Sequence, residues 1–257
     1  MKMKIASLFM TMLLVLTLGS LAAAEELTGN DVLDNIQDSI SANTSQINLR
    51  MELHSGGRTR ERELEVYRQD GEEMDSSMIR FLAPASVEGT AFLSHDPHDS
   101  EDDDMYLYMP ALGNVRRISG SQRNGSFVGT DFSYNDLSIL GGGSYDEDYD
   151  AEILEDLGDK YLLRIIPTDE DIDYKYGYMW VQKSNWFPVE IEFYDSRGDL
   201  HKVLTSEQIV QVDGYWTAEK LTMKDVQRDT KTILFLEDIV YDQPIDDRVF
   251  TVRYLRR

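Results

Sequence analysis

YLYMPALGNVRRISGSQRNGSFVGTDFSYNDL, the stretch Tyr106–Leu137, couples a strand-like aromatic run to paired arginines and then to a Gly-Thr-Asp-Phe turn. The longer segment from Leu112 to Gly143 is rich in Gly and Ser and carries one short helical patch at Tyr134–Leu140. A connection this long inside a β domain is either functional or disordered. Val115, Ile118, Phe127, Phe132, Tyr134, Leu137 and Ile139 give it too much apolar content for disorder. It therefore reads as an ordered connection that crosses something, and what it crosses decides the fold.

On either side the apolar period is two. Leu64 and Val66 alternate with Glu63 and Glu65, and Val189, Ile191 and Phe193 alternate with Glu190 and Glu192, which marks strands with one wet face. Such strands are expected at 46–54, 60–69, 74–82, 89–95, 104–109, 149–156, 160–167, 176–183, 187–195, 200–212, 215–226 and 230–241. Gly56-Gly57, Asp70-Gly71, Gly158-Asp159, Arg197-Gly198 and Asp213-Gly214 supply turn chemistry between them, so most are antiparallel neighbours. Before the first strand, Thr28–Ser41 places Val32, Leu33, Ile36 and Ile40 at helical spacing, with Thr28 or Asn30 as N-cap and Asp31 in the first turn. A dozen strands with one apolar face must hide it in a barrel, a sandwich or a curved sheet covered by helices. One helix and one helical loop favour the curved sheet, though pattern alone does not separate it from a sandwich.

Lys2 and Lys4 precede an apolar run from Ile5 to Leu18, and Ala22-Ala23-Ala24 offers a cleavage site, so residues 1–24 read as a secretory signal peptide. The mature protein is then a single domain, 25–257, in the periplasm or another extracytoplasmic space. The chain has no cysteine, which removes disulfides, thiol catalysis and an acylated lipoprotein cysteine. Its formal net charge is −23, and losing two lysines and no acid with the signal takes it to −25. So anionic a body is repelled by nucleic acid and by anionic bilayers, and no direct binding to either is expected.

The chain contains neither H-E-x-x-H nor G-x-S-x-G, and Gly141-Gly142-Gly143 lacks the Lys-Ser/Thr of a phosphate-binding loop. No enzyme, catalytic residue or cofactor is expected. The best case for a metal is His95–Asp104, where His95, Asp96, His98, Asp99 and the acids after them lie close together, but the spacing matches no established loop. It reads as a solvated acidic hairpin end, and no metal is assigned.

Tyr106, Tyr108 and Pro110, then Val115-Arg116-Arg117-Ile118, then Gly129-Thr130-Asp131-Phe132-Ser133-Tyr134 with Asp136 and Leu137, together resemble the outer-membrane lipoprotein-sorting family, whose founding type is the LolA periplasmic carrier. The resemblance implies a mainly β fold with few helices: a single strongly curved antiparallel sheet, an unclosed barrel, under a helical lid. It also implies an extracytoplasmic carrier that takes the acyl chains of a lipoprotein or lipid into an apolar cavity, with a resistance-nodulation-division (RND) or MMPL-type transporter as partner. Gly129, Asp131, Tyr134 and Asp136 carry the family motif. The chain is longer and more acidic than the LolA type, which makes lipid in general a safer cargo than lipoprotein. An envelope sensor or protein-binding module of the same fold is the alternative.

Met51, Met78, Phe81, Phe92, Tyr106, Tyr108, Phe127 and Phe132, concentrated before the midpoint, suit an adaptable apolar cavity. Arg116 and Arg117 have two readings: ion pairs to Asp131 and Asp136 that pin the long connection, or a planar fork of donors for a lipid head group. A chain of roughly 16 carbons gains about 12 kcal/mol if fully enclosed, at about 0.8 kcal/mol per methylene. A carrier must release its cargo, so an opening cover has to offset part of that gain.

Overall fold

The computed structural model describes residues 27–98, 104–137, 145–169 and 172–257. Residues 1–26, which hold the expected signal peptide, lie outside them, as do the acidic run 99–103 and residues 138–140 of the Tyr134–Leu140 patch. Alternating sequence becomes thirteen strands: β1 Thr44–Ser55, β2 Arg58–Gln69, β3 Met74–Ala83, β4 Ala91–Pro97, β5 Asp104–Met109, β6 Asn114–Ile118, β7 Tyr149–Asp156, β8 Lys160–Pro167, β9 Tyr176–Gln182, β10 Phe187–Tyr194, β11 Leu200–Val212, β12 Tyr215–Asp225 and β13 Thr230–Tyr241. Twelve were expected; β6 lies inside what was read as unbroken connection. This five-residue edge strand buries only Ile118, too little for alternation to show.

All thirteen form one antiparallel sheet in the order β6-β5-β4-β3-β2-β1-β13-β12-β11-β10-β9-β8-β7. Two meanders run outward from the β1–β13 pair, and the edges β6 and β7 do not meet, so the sheet is an unclosed barrel. Ile118 on β6 and Leu163 and Ile165 on β8 nevertheless share one apolar cluster with Met51, Leu64, Phe81, Met179, Leu204 and Leu234. The sheet must curve around its inner face to bring opposite ends into one core. The chain leaves the sheet at β6 and re-enters it at β7 on the opposite edge, and from the connection Phe127, Phe132, Tyr134 and Leu137 pack onto the inner face.

The expected helix is α1, Gly29–Ile40, started by a capping box in which the Thr28 hydroxyl accepts from the Asp31 amide and the Asp31 carboxylate accepts from the Thr28 amide. Val32, Leu33 and Ile36 enter the inner cluster and are fully buried. The helix lies against β7, β10 and β12. It sits so close to β7 that a Cβ on Gly29 would stand 2.2 Å from the Ala151 carbonyl oxygen. The Asn30 side chain accepts from the Ala151 amide at 2.7 Å, which satisfies a donor on this free edge.

A second cluster occupies the outer face. Val249, Phe250 and Leu255 of the C-terminal segment cover Met78, Ala91 and Leu93. Arg80 fastens that segment by donating to the carbonyls of Tyr254 (2.9 Å) and Arg257 (2.7 Å). No helix among the described residues is long and apolar enough to cross a membrane.

Candidate lipid-binding interior and its cover

The cover is built from the Gly- and Ser-rich connection that follows β6. Val128 (φ 48°) and Gly129 (φ 75°) take the left-handed conformation in succession. For glycine this is easy, whereas a β-branched valine is strained there. The turn closes with the Phe127 amide donating to the Phe132 carbonyl (2.8 Å) and the Ser126 hydroxyl donating to the Thr130 carbonyl (2.6 Å). Its effect is to drive Phe127 and Phe132 into the inner face, each 1% exposed. Phe127 packs edge-on against Phe92 (5.6 Å between centroids) and Tyr134 (5.7 Å), and tilted against Phe81 (5.7 Å). Aromatic side chains of the crossing segment thus plug the sheet's hollow.

Three polar anchors hold the plug. Asp131 accepts from the hydroxyls of Thr230 and Thr232 on β13, the latter at 2.7 Å, while its amide donates to the Thr232 hydroxyl at 3.0 Å. Asp136, 1% exposed, meets Lys202 on β11 at 2.7 Å and accepts from Tyr174 (2.9 Å) and the Ser133 amide (2.7 Å). Burial alone would push the Asp136 carboxyl up, but Lys202 and these donors outweigh it and hold it below its ordinary value. The third anchor is Arg62 on β2, which donates to the Val128 carbonyl at 2.8 Å and places its guanidinium 5.4 Å from the Phe81 ring centre. Burial, with Arg60 nearby, lowers its pKa to about 10, and no carboxylate among the described residues pairs with it. Arg62 was not anticipated, yet it shares strand parity with Leu64 and Val66, which point inward.

The eight cavity candidates divide by face. Met51, Phe81, Phe92, Phe127 and Phe132 come together in the inner cluster. Met78 belongs to the outer cluster, and Tyr106 and Tyr108 pack against it beneath the C-terminal segment. Of the two readings of the arginines, the ion pairs to Asp131 and Asp136 do not form: Arg116 lies near Tyr134, whose phenol burial pushes up and Arg116 pulls down, and Arg117 meets Asp104 at 2.5 Å. Asp131 and Asp136 are satisfied by Thr230, Thr232 and Lys202 instead. In the His95–Asp104 loop, a His95 ring nitrogen lies 2.9 Å from the Phe250 carbonyl oxygen and one of His98 lies 3.3 Å from the Asp75 carboxylate. No group of three potential metal ligands forms among the described residues.

Between the end of α1 and strands β1, β2 and β10 to β13 is a pocket of about 80 Å³. Ile47, Ile191, Leu204, Ala218, Leu221 and Leu236 line it, with Thr217 and Tyr241 paired at 2.7 Å between their hydroxyls. Pockets for small-molecule ligands run to about 300–1,000 Å³. At about 80 Å³ this one lies well below that range.

The chain matches the model of a family described as an uncharacterized protein over residues 73–257. No curated protein matches it. Among solved structures it is similar to a domain from Vibrio parahaemolyticus described as outer membrane lipoprotein-sorting, at 29% identity and TM-score 0.81, covering 89% of this chain and 98% of that one. A DUF1329 family protein from Desulfovibrio piger is 28% identical with TM-score 0.82, covering 88% and 97%. A LolA superfamily protein from Nitrosomonas europaea, 22% identical with TM-score 0.71 over 89% and 100%, shares the fold.

Proposed function

For a chain that belongs to this uncharacterized family and carries the lipoprotein-sorting, LolA-type fold, we propose the role of an extracytoplasmic carrier of acyl chains. The observation behind it is the apolar inner face, closed by a crossing segment whose aromatic side chains hang from a few discrete polar anchors. Hydrocarbon and plug compete for the same surface. Displacing Phe127 and Phe132 exposes them, while each methylene that replaces them gains about 0.8 kcal/mol. Binding is then an exchange of similar terms, which lets cargo leave again.

In this reading residues 1–24 direct export and are removed, and 25–257 work as one domain. Cargo enters beside Phe81, Phe92 and Met51, and an RND or MMPL-type transporter supplies or receives it. Arg62 holds the cover when the interior is empty. The arrangement is one for binding, with no catalytic step assigned to it. Protein purified from its native envelope without detergent should yield stoichiometric acyl-chain material by mass spectrometry after solvent extraction. Repeated recovery of lipid-free protein that also ignores added lipid would defeat the proposal.

A further inference from the structure

At the rim, the hairpin turns β1–β2 and β12–β13 enclose a cleft of about 520 Å³ lined by His54, Ser55, Gly56, Gly57, Arg58, Thr59, Lys224, Asp229, Thr230 and Lys231. We propose that this cleft binds a phosphate group. Register brings two lysines together: Lys231 stands directly opposite Lys224 on one side and, on the other, opposite His54, whose ring lies 3.1 Å from the Glu52 carboxylate, in a row continued by Thr59. Directly opposed like charges on neighbouring strands destabilise a sheet unless something lies between them. Arg58, Lys224 and Lys231 have no carboxylate partner among the described residues, and Asp229 is the one acid in the lining.

That is unusual in this chain, where acids outnumber Lys and Arg 48 to 25. Lys183, Lys202, Lys220 and Arg228, by contrast, each meet an acid. Charge beyond about 8 Å is screened at physiological salt, so a local cluster can attract an anion that the whole molecule repels. Gly56 and Gly57, with positive φ and nothing within 4 Å of a would-be Cβ, keep the floor of the turn open. The protein supplies donors of the ammonium and guanidinium type that phosphate oxygens accept. Phosphate here has two sources, a phospholipid head group or a free phosphate ion. The first rests on the carrier reading and would place a head group on the rim while tails enter the interior.

The test is calorimetric titration of the full chain with inorganic phosphate and, separately, with dihexanoyl phosphatidylglycerol. Saturable binding that weakens with added sodium chloride is expected, with a loss of roughly tenfold in the double variant Lys224→Gln/Lys231→Gln. Tighter binding of the phospholipid assigns the cleft to head groups, and equal affinity assigns it to free phosphate. Absence of saturable binding for both probes, or binding that the double variant keeps, overturns the site. Phosphate should also raise the melting temperature of the wild type and not that of the variant, a readout that exposes misfolding. Uptake of a neutral amphiphile, monolauroylglycerol, should be equal in both proteins. Its absence from both would sink the carrier reading while leaving the phosphate result standing.

Discussion

Truncating Phe127 to alanine separates a plug from an ordinary core residue. Its ring is 1% exposed and contacts Phe81, Phe92 and Tyr134, so removal opens a cavity in the middle of the inner cluster. Phe→Ala at such a site costs about 3–5 kcal/mol. At about 2–4 °C per kcal/mol for a chain of this size, Phe127→Ala should melt about 6–20 °C lower than wild type. If hydrocarbon and plug occupy the same place, a fatty acid should refill the cavity. Four or five methylenes entering it return about 3–4 kcal/mol, most of the loss. The assay is a thermal melt with and without lauric acid, and Phe250→Ala is the control. Phe250 is similarly buried, but in the outer cluster beneath the C-terminal segment, where lipid should restore nothing. A Phe127→Ala protein that stays destabilised in lauric acid, or rescue of both variants alike, would refute the reasoning.

Arg62→Met keeps the apolar stem but removes the donor to Val128, so amide exchange across residues 126–133 should quicken roughly tenfold. The melting temperature should fall less than in Phe127→Ala, because a costly buried cation is also removed; unchanged exchange would show that Arg62 does not latch the cover. Asp136 is held below its ordinary value, so its contribution is complete above pH about 4 and is lost as pH falls through the lowered value. Lys202→Met leaves that carboxylate unpaired, costing about 3–5 kcal/mol at pH 7. The deficit should shrink on acidification as burial makes Asp136 neutral; denaturant melts showing a pH-independent deficit would contradict this. Gly29→Ala should cost about 1–3 kcal/mol by denaturant unfolding, although alanine is the better helix former, because its Cβ meets the Ala151 carbonyl. A neutral or stabilised variant would show that α1 lifts freely from β7.

Much of this architecture was legible in the chain. Alternation in runs such as Leu64–Val66 marks a strand by itself, and Thr28 with Asp31 marks a helix start, because both signals are local. The crossing segment was also visible, since Gly129 and its aromatic neighbours make little sense in a simple meander. Sidedness was less accessible. Met105 and Leu107 alternate with Tyr106 and Tyr108, both sets are apolar, and only the distant residues Val249–Leu255 decide which set faces outward. The anchors escaped for a similar reason: Asp136 and Lys202 are 66 residues apart, and nothing local pairs them. Arg62 is different, because its parity with Leu64 and Val66 already pointed inward, but in the run Arg60-Glu61-Arg62-Glu63 it reads as one more surface charge.

Displacement of the crossing segment by hydrocarbon is the claim on which the carrier role stands, and a distance measurement tests it most directly. The chain has no cysteine, so Ser121→Cys, exposed on the cover, and Glu219→Cys on β12 can be spin-labelled cleanly. Pulsed electron resonance should give one narrow distance in the lipid-free protein and a longer, broader one after a lysophospholipid is bound. Saturable lipid binding that leaves the distance unchanged would contradict the account.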